Sequence, residues 1–117
     1  MNNIKQAVSL LQPHLNSGER IQKSILGMYQ QLTAVNSTPK KGILCATNER
    51  LCFFSNDMEQ PVTSFDYYKL EAVDLTEDQT IILTLTCNGE TSIMSFIEEG
   101  DAADFNHFVL DRMEIKS

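Results

Sequence analysis

The chain has 117 residues, of which 42% are hydrophobic and 21% charged, and its formal net charge is −7 at pH 7. These values are typical of one globular domain that is large enough to bury an ordinary core. The acidic balance disfavours nucleic acid and anionic lipid surfaces as partners, because both are bound through clustered Lys and Arg.

The sequence gives no sign of export or of a membrane span. No apolar run approaches the roughly 18 residues that a bilayer requires. The N-terminal segment lacks the charged start, continuous apolar centre and cleavage site of a signal peptide. The three cysteines are scattered and show no CxxC spacing. We therefore expect a cytoplasmic protein with free thiols.

The N-terminal residues predict a short helix over residues 3–12. Asn3 is a typical helix cap, and Ile4, Val8 and Leu11 share one side at helical spacing. Pro13 ends the helix, because the residue before a proline is displaced from the helical region. A helix this short has only marginal stability in isolation. We therefore expect it either to dock on the rest of the domain or to fray.

Seven strands are predicted between residues 19 and 97, followed by a helix over residues 101–114. The first strand carries a mid-strand glycine, Gly27, which indicates a bulge or bend. Residues 35–41 are polar and predict a loop. After the hairpin described next, strands are expected over residues 62–68, 70–75, 80–87 and 91–97. The C-terminal helix is amphipathic and is capped by Asp101.

The densest apolar segment, Gly42–Asn56, predicts a tight β-hairpin that turns at Asn48 and Glu49. A two-residue turn places Cys45 opposite Cys52. This would be a hydrogen-bonded pair, whose side chains are aimed poorly for a disulfide. Metal binding is not expected either, because no histidine shows ligand spacing to these thiols.

Both faces of this hairpin are apolar, and only one can belong to the core. The second face is the candidate interface, and it carries Ile43, Cys45, Cys52 and Phe54. Two interpretations stay open: the N-terminal helix covers this face, or the face is a surface for self-association or for a partner protein.

Three local motifs extend the prediction to a family. A Gly18-Glu19 turn precedes the first long strand, the hairpin includes GILCATNERL over residues 42–51, and Phe65-Asp66-Tyr67 follows. In this order they resemble the bacterial pleckstrin-homology (PH) domains of the YokE-like type, over roughly residues 15–113. The resemblance implies a mainly β, α+β fold: a seven-stranded antiparallel barrel or sandwich capped by a C-terminal helix, here a single PH-like domain over residues 1–117 with an extra N-terminal helix. It implies no catalytic residues and no cofactor.

The favoured function is a non-catalytic module that acts by protein–protein contact, with an unknown protein or with a second copy, through a sheet edge or the second hairpin face. The sequence shows no nucleophile elbow, phosphate loop or metal triad, so catalysis is not expected. The alternative is binding of a phospholipid headgroup. Its candidate contacts are Lys23, Lys40, Lys41 and Arg50.

Overall fold

A computed structural model describes residues 3–33, 35 and 37–116, with side chains described as far as Met113. Two helices flank the strands: α1 (Ile4–Leu11) and α2 (Ala102–Lys116). The strands are β1 (Ile21–Gln31), β2 (Lys40–Thr47), β3 (Leu51–Phe54), β4 (Val62–Phe65), β5 (Leu70–Glu77), β6 (Ile81–Cys87) and β7 (Glu90–Glu99). The predicted helix–seven strands–helix order is confirmed.

The seven strands form one antiparallel sheet in the order β4-β3-β2-β1-β7-β6-β5. The β2–β3 hairpin has the predicted register, with Cys45 opposite Cys52 and Ile43 opposite Phe54. Its turn is closed by a hydrogen bond of 2.9 Å from the Thr47 amide to the Arg50 carbonyl. The fold therefore has the PH-like architecture expected from the sequence.

Apolar side chains are buried on both faces of the sheet. The inner face curls around a core that α2 closes with Phe105 and Val109, which are 1% and 0% exposed. Phe108, on the same helix, packs only partly against this core. Part of the outer face is covered by α1, which buries Ala7 and Leu11 there. The Asn3 side chain caps α1 by accepting a hydrogen bond of 2.8 Å from the Gln6 amide, as predicted.

Some predicted boundaries were wrong. Lys40 and Lys41 belong to β2, where they pair with β1, and not to a loop. Residue 36 of that predicted loop lies outside the described residues. The strand expected over residues 62–68 ends at Phe65, because the Asp66 carboxylate accepts a hydrogen bond from the Tyr68 amide and caps a short 3-10 helix (Tyr67–Lys69).

Candidate interaction surface

The second face of the hairpin is covered by the chain itself. Its four candidate interface residues, Ile43, Cys45, Cys52 and Phe54, are at most 2% exposed and form one cluster with α1. These four residues are therefore not an open surface while α1 is in place, and a role for them in partner binding stays a prediction. The interpretation in which the N-terminal helix covers the face is the one that matches the structure.

The two opposed thiols under α1 are free. The hydrogen bond between them, together with burial, raises the pKa of Cys45. A buried thiol of raised pKa is a poor nucleophile, because the thiolate is the reactive form. The same hydrogen bond lowers the pKa of Cys52, but both thiols are 0% exposed under α1, so the pair is a packing feature of the covered face.

A buried ion pair fastens the segment between α1 and β1 to the hairpin. The Glu19 carboxylate accepts hydrogen bonds from the Arg50 guanidinium at 2.9 and 3.1 Å, from the Thr47 hydroxyl at 2.7 Å and from the Asn16 amide at 3.0 Å. Burial alone would raise the pKa of Glu19, but the hydrogen bonds from Arg50, Asn16 and Thr47 lower it to about 2. The ion pair joins Glu19 of the Gly18-Glu19 motif to Arg50 of the hairpin motif, so the two sequence motifs are in direct contact in the fold.

The candidate headgroup residues do not converge. Arg50 is held by Glu19, Lys23 pairs with Asp104 at 2.7 Å, and Lys41 pairs with Glu98 at 2.8 Å. Lys40 begins β2 and lies opposite Tyr29. A multiply charged headgroup needs several unpaired cations around one point, and three of these four cations already have a carboxylate partner.

A different part of the outer face is open. A groove of about 550 Å³ lies across β1, β7 and β6. We call it the Phe96 groove. Its apolar lining consists of Met28, Pro39, Ile81, Ile82, Ile93, Phe96 and Ile97. Polar Gln30 and Ser95 also line it, so the groove mixes apolar and hydrogen-bonding groups, as the surfaces that bind other proteins do.

Phe96 is held outward by an irregularity in β7. Leu26 lies opposite Glu99 and Met28 opposite Ser95, so Gly27 alone faces the intervening residues 96–98. In this bulge Phe96 has a φ of 48°, a left-handed conformation that is uncommon for an aromatic residue. Its side chain is 76% exposed.

The bulge depends on a glycine in the neighbouring strand. A Cβ on Gly27 would lie 2.7 Å from the Ser95 carbonyl oxygen and 3.2 Å from the Ile97 Cα. Gly27 thus lies at an irregularity of the sheet, but the extra residues belong to β7 and not to the first strand, where the bulge or bend was predicted. The consequence, the exposed Phe96, was not predicted from the sequence. The available signal was the break in alternation at Phe96-Ile97, where two large apolar residues are adjacent.

The described part of the chain holds no cluster of side chains suited to bind a metal ion. Among those residues, no three His, Cys, Asp or Glu side chains come together as metal ligands. The His14 and Phe54 ring centroids are 5.5 Å apart, and His107 faces Asp111 at 3.6 Å on the exposed side of α2. None of the helices described is both long and apolar enough to cross a bilayer.

Comparison with known proteins agrees with this architecture. A family model described as a bacterial PH domain matches residues 15–111. The match does not test the YokE-like subdivision, which stays a prediction. No curated protein matches the chain.

Solved structures show the same fold. The C-terminal domain of an unknown protein from Leishmania infantum is similar with a TM-score of 0.65 and 18% identity, over 97% of this chain and 99% of that one. The Vps36 N-terminal PH domain is similar with a TM-score of 0.67 and 15% identity, over 87% and 84%. The PH domain of USP37 is similar with a TM-score of 0.61 and 15% identity, over 80% and 99%. At these identities the likeness concerns the fold alone.

Proposed function

The chain belongs to the bacterial PH domain family, and from this membership we propose that it is a non-catalytic, cytoplasmic module that binds another protein through the Phe96 groove. The observation that carries the proposal is Phe96 itself. A large aromatic side chain is kept 76% exposed, on a left-handed backbone, beside an apolar groove. Strained backbone and exposed apolar surface both lower stability, and both concentrate at binding sites.

Protein is a better match for this surface than a lipid headgroup. The groove is mainly apolar, and Lys23, Lys41 and Arg50 are engaged with carboxylates. A second copy of the chain is also disfavoured, because two molecules of net charge −7 repel each other. The proposed partner is therefore a different protein.

Site-specific photocrosslinking in cells of the native host tests this proposal. A benzophenone amino acid replaces Phe96 in one variant and Tyr68 in a matched control, since both aromatic side chains are 76% exposed. We expect a discrete protein adduct from position 96 and none from position 68. The captured protein, once purified, should bind the wild-type chain at least about tenfold more tightly than the Phe96→Gly variant, as for a hot-spot residue. Equal adducts at both positions, or none at position 96, would contradict the proposal.

Liposome flotation tests the lipid alternative. Wild-type protein and the Lys40→Glu/Lys41→Glu variant are mixed with vesicles that contain anionic phospholipid, and we expect neither to float. Flotation of the wild type that the double substitution abolishes would favour headgroup binding over the protein-binding proposal.

A further inference from the structure

The chemistry of the partner can be stated more closely, on the premise that the Phe96 groove is the protein-binding surface. We infer that the groove receives an amphipathic helix whose apolar stripe is flanked by Lys or Arg. Three features of the described residues lead to this inference: the pairing of the strands under the groove, the way α1 docks on the same face, and the carboxylates at one end of the groove.

The first feature disfavours binding by strand addition. β1, β7 and β6 are interior strands of the sheet, with β2 on one side and β5 on the other. An added strand needs an unpaired sheet edge, and these strands pair with their neighbours except near Phe96, where residues 96–98 bulge away from β1 and the β6–β7 pairing ends at Met94. A partner therefore contacts most of the groove through side chains, as a helix does when it lies in an apolar groove.

The second feature shows that this sheet face accepts a helix. On the other half of the outer face, α1 packs Ala7 and Leu11 against β1, β2 and β3 with no exposure of either side chain. Met28 and Leu26 both belong to the outer face of β1, one in the groove and one under α1. The groove is thus a continuation of a surface on which a short amphipathic helix is already seated.

The third feature is the charge around the Phe96 end of the groove. Glu98 and Glu99 follow Ile97 in β7, and Glu77 pairs with Ile81, a lining residue, next to Asp78 in the adjoining turn. Lys41 pairs with Glu98.

Within the described side chains, the other three of these carboxylates (Glu77, Asp78 and Glu99) make no ion pair, and all three residues are exposed. Their negative potential favours cationic groups beside the apolar stripe of a partner and disfavours acidic ones.

Peptide titration tests the inference with a clean optical signal, because the chain contains no tryptophan. Three helical peptides share one apolar stripe with a single Trp, and differ only in carrying Lys, Gln or Glu at the flanking positions. We expect the Lys peptide to bind at least about tenfold more tightly than the Gln peptide, and the Glu peptide to bind most weakly. Raising the salt concentration should reduce these differences, since exposed charges are screened.

Protein variants assign the binding to the groove. Phe96→Gly, which suits the left-handed backbone, should weaken the Lys peptide at least about tenfold, whereas the equally exposed Tyr68→Ala should leave it unchanged. A triple charge reversal at Glu77, Asp78 and Glu99 to Lys should invert the order of the peptides. The same reversal at exposed Asp57, Glu59 and Asp74 has the same net charge and serves as its control; it should keep the original order.

The outcomes separate this inference from the proposed function. Equal binding of all three peptides that is still lost in Phe96→Gly would overturn the cationic partner and leave the groove as a protein-binding surface. Binding of the Lys peptide that Phe96→Gly does not change, or no binding of any peptide, would overturn the inference itself. The photocrosslinking result at position 96 then decides the proposed function independently.

Discussion

The outer face of the sheet has two halves that differ in exposure: α1 covers one, and the other is open. Under α1, the side chains at the centre of the cluster, contributed by β1, β2 and β3, are purely apolar and at most 2% exposed (Leu26, Ile43, Cys45, Cys52 and Phe54). Across β1, β7 and β6, the lining alternates apolar residues with Gln30 and Ser95, and Phe96 stands largely in solvent. The first half has the composition of a core, and the second has that of a surface that is open in the free protein and covered in a complex. Composition therefore distinguishes the covered half of the face from the open half.

The sharpest test of this difference is the same truncation in both halves. Phe54→Ala, under α1, should lower the free energy of unfolding by about 3–5 kcal/mol, because it leaves a cavity in a fully buried cluster. Phe96→Ala should change it by less than about 0.5 kcal/mol, because the ring is already exposed. Urea denaturation measures both. Similar losses at the two positions would show that the halves do not differ in the way proposed.

Acid titration tests how the covered half is held. The pKa of Glu19 is about 2 in the folded chain and 4.5 in its reference state. The unfolded chain thus binds more protons between these values, and stability must fall as pH falls through this window. The contribution of Glu19 is about 3 kcal/mol, present above pH 4.5 and lost near pH 2. The Glu19→Gln variant should be less stable at neutral pH and should lose less stability across the window. Parallel pH profiles for wild type and variant would contradict this role.

The smallest expected effect concerns the backbone of the open half. Phe96→Gly removes the backbone strain of an aromatic residue in a left-handed conformation. Glycine also makes the unfolded chain more flexible, which opposes this gain in stability. We expect unfolding in urea to show no loss of stability and a gain of up to about 1 kcal/mol, even though partner binding falls. A loss of more than about 1 kcal/mol would mean that the Phe96 ring stabilises the free domain, which would weaken its assignment to binding.

The sequence allowed the hairpin to be predicted in detail because its rules are local. A two-residue turn at Asn48 and Glu49, together with alternation, fixes every pair between β2 and β3. The boundary errors also have local causes: the Asp66 carboxylate ended β4 earlier than alternation suggested. That signal was present in the sequence, since Asp commonly caps a turn in this way.

The candidate site was less predictable because its determinants are distant in sequence. Lys23 and Asp104 are far apart along the chain, as are Lys41 and Glu98, so neither ion pair could be read from spacing. The exposure of Phe96 depends on which residue of β1 faces the bulge in β7, and a single sequence does not specify that pairing. Knowledge of the sheet order was needed before the groove could be recognised.

The space above Gly27 has a consequence for how this surface can change over evolutionary time. A methyl group there would meet the β7 backbone at 2.7 Å, so an alanine at this position would force the bulge to open or to close up. The exposed Phe96 therefore depends on the presence of a glycine at position 27 of the adjacent strand. Divergence at one of the two positions should be accompanied by divergence at the other, and a descendant that lost the glycine would no longer present an aromatic side chain in this way.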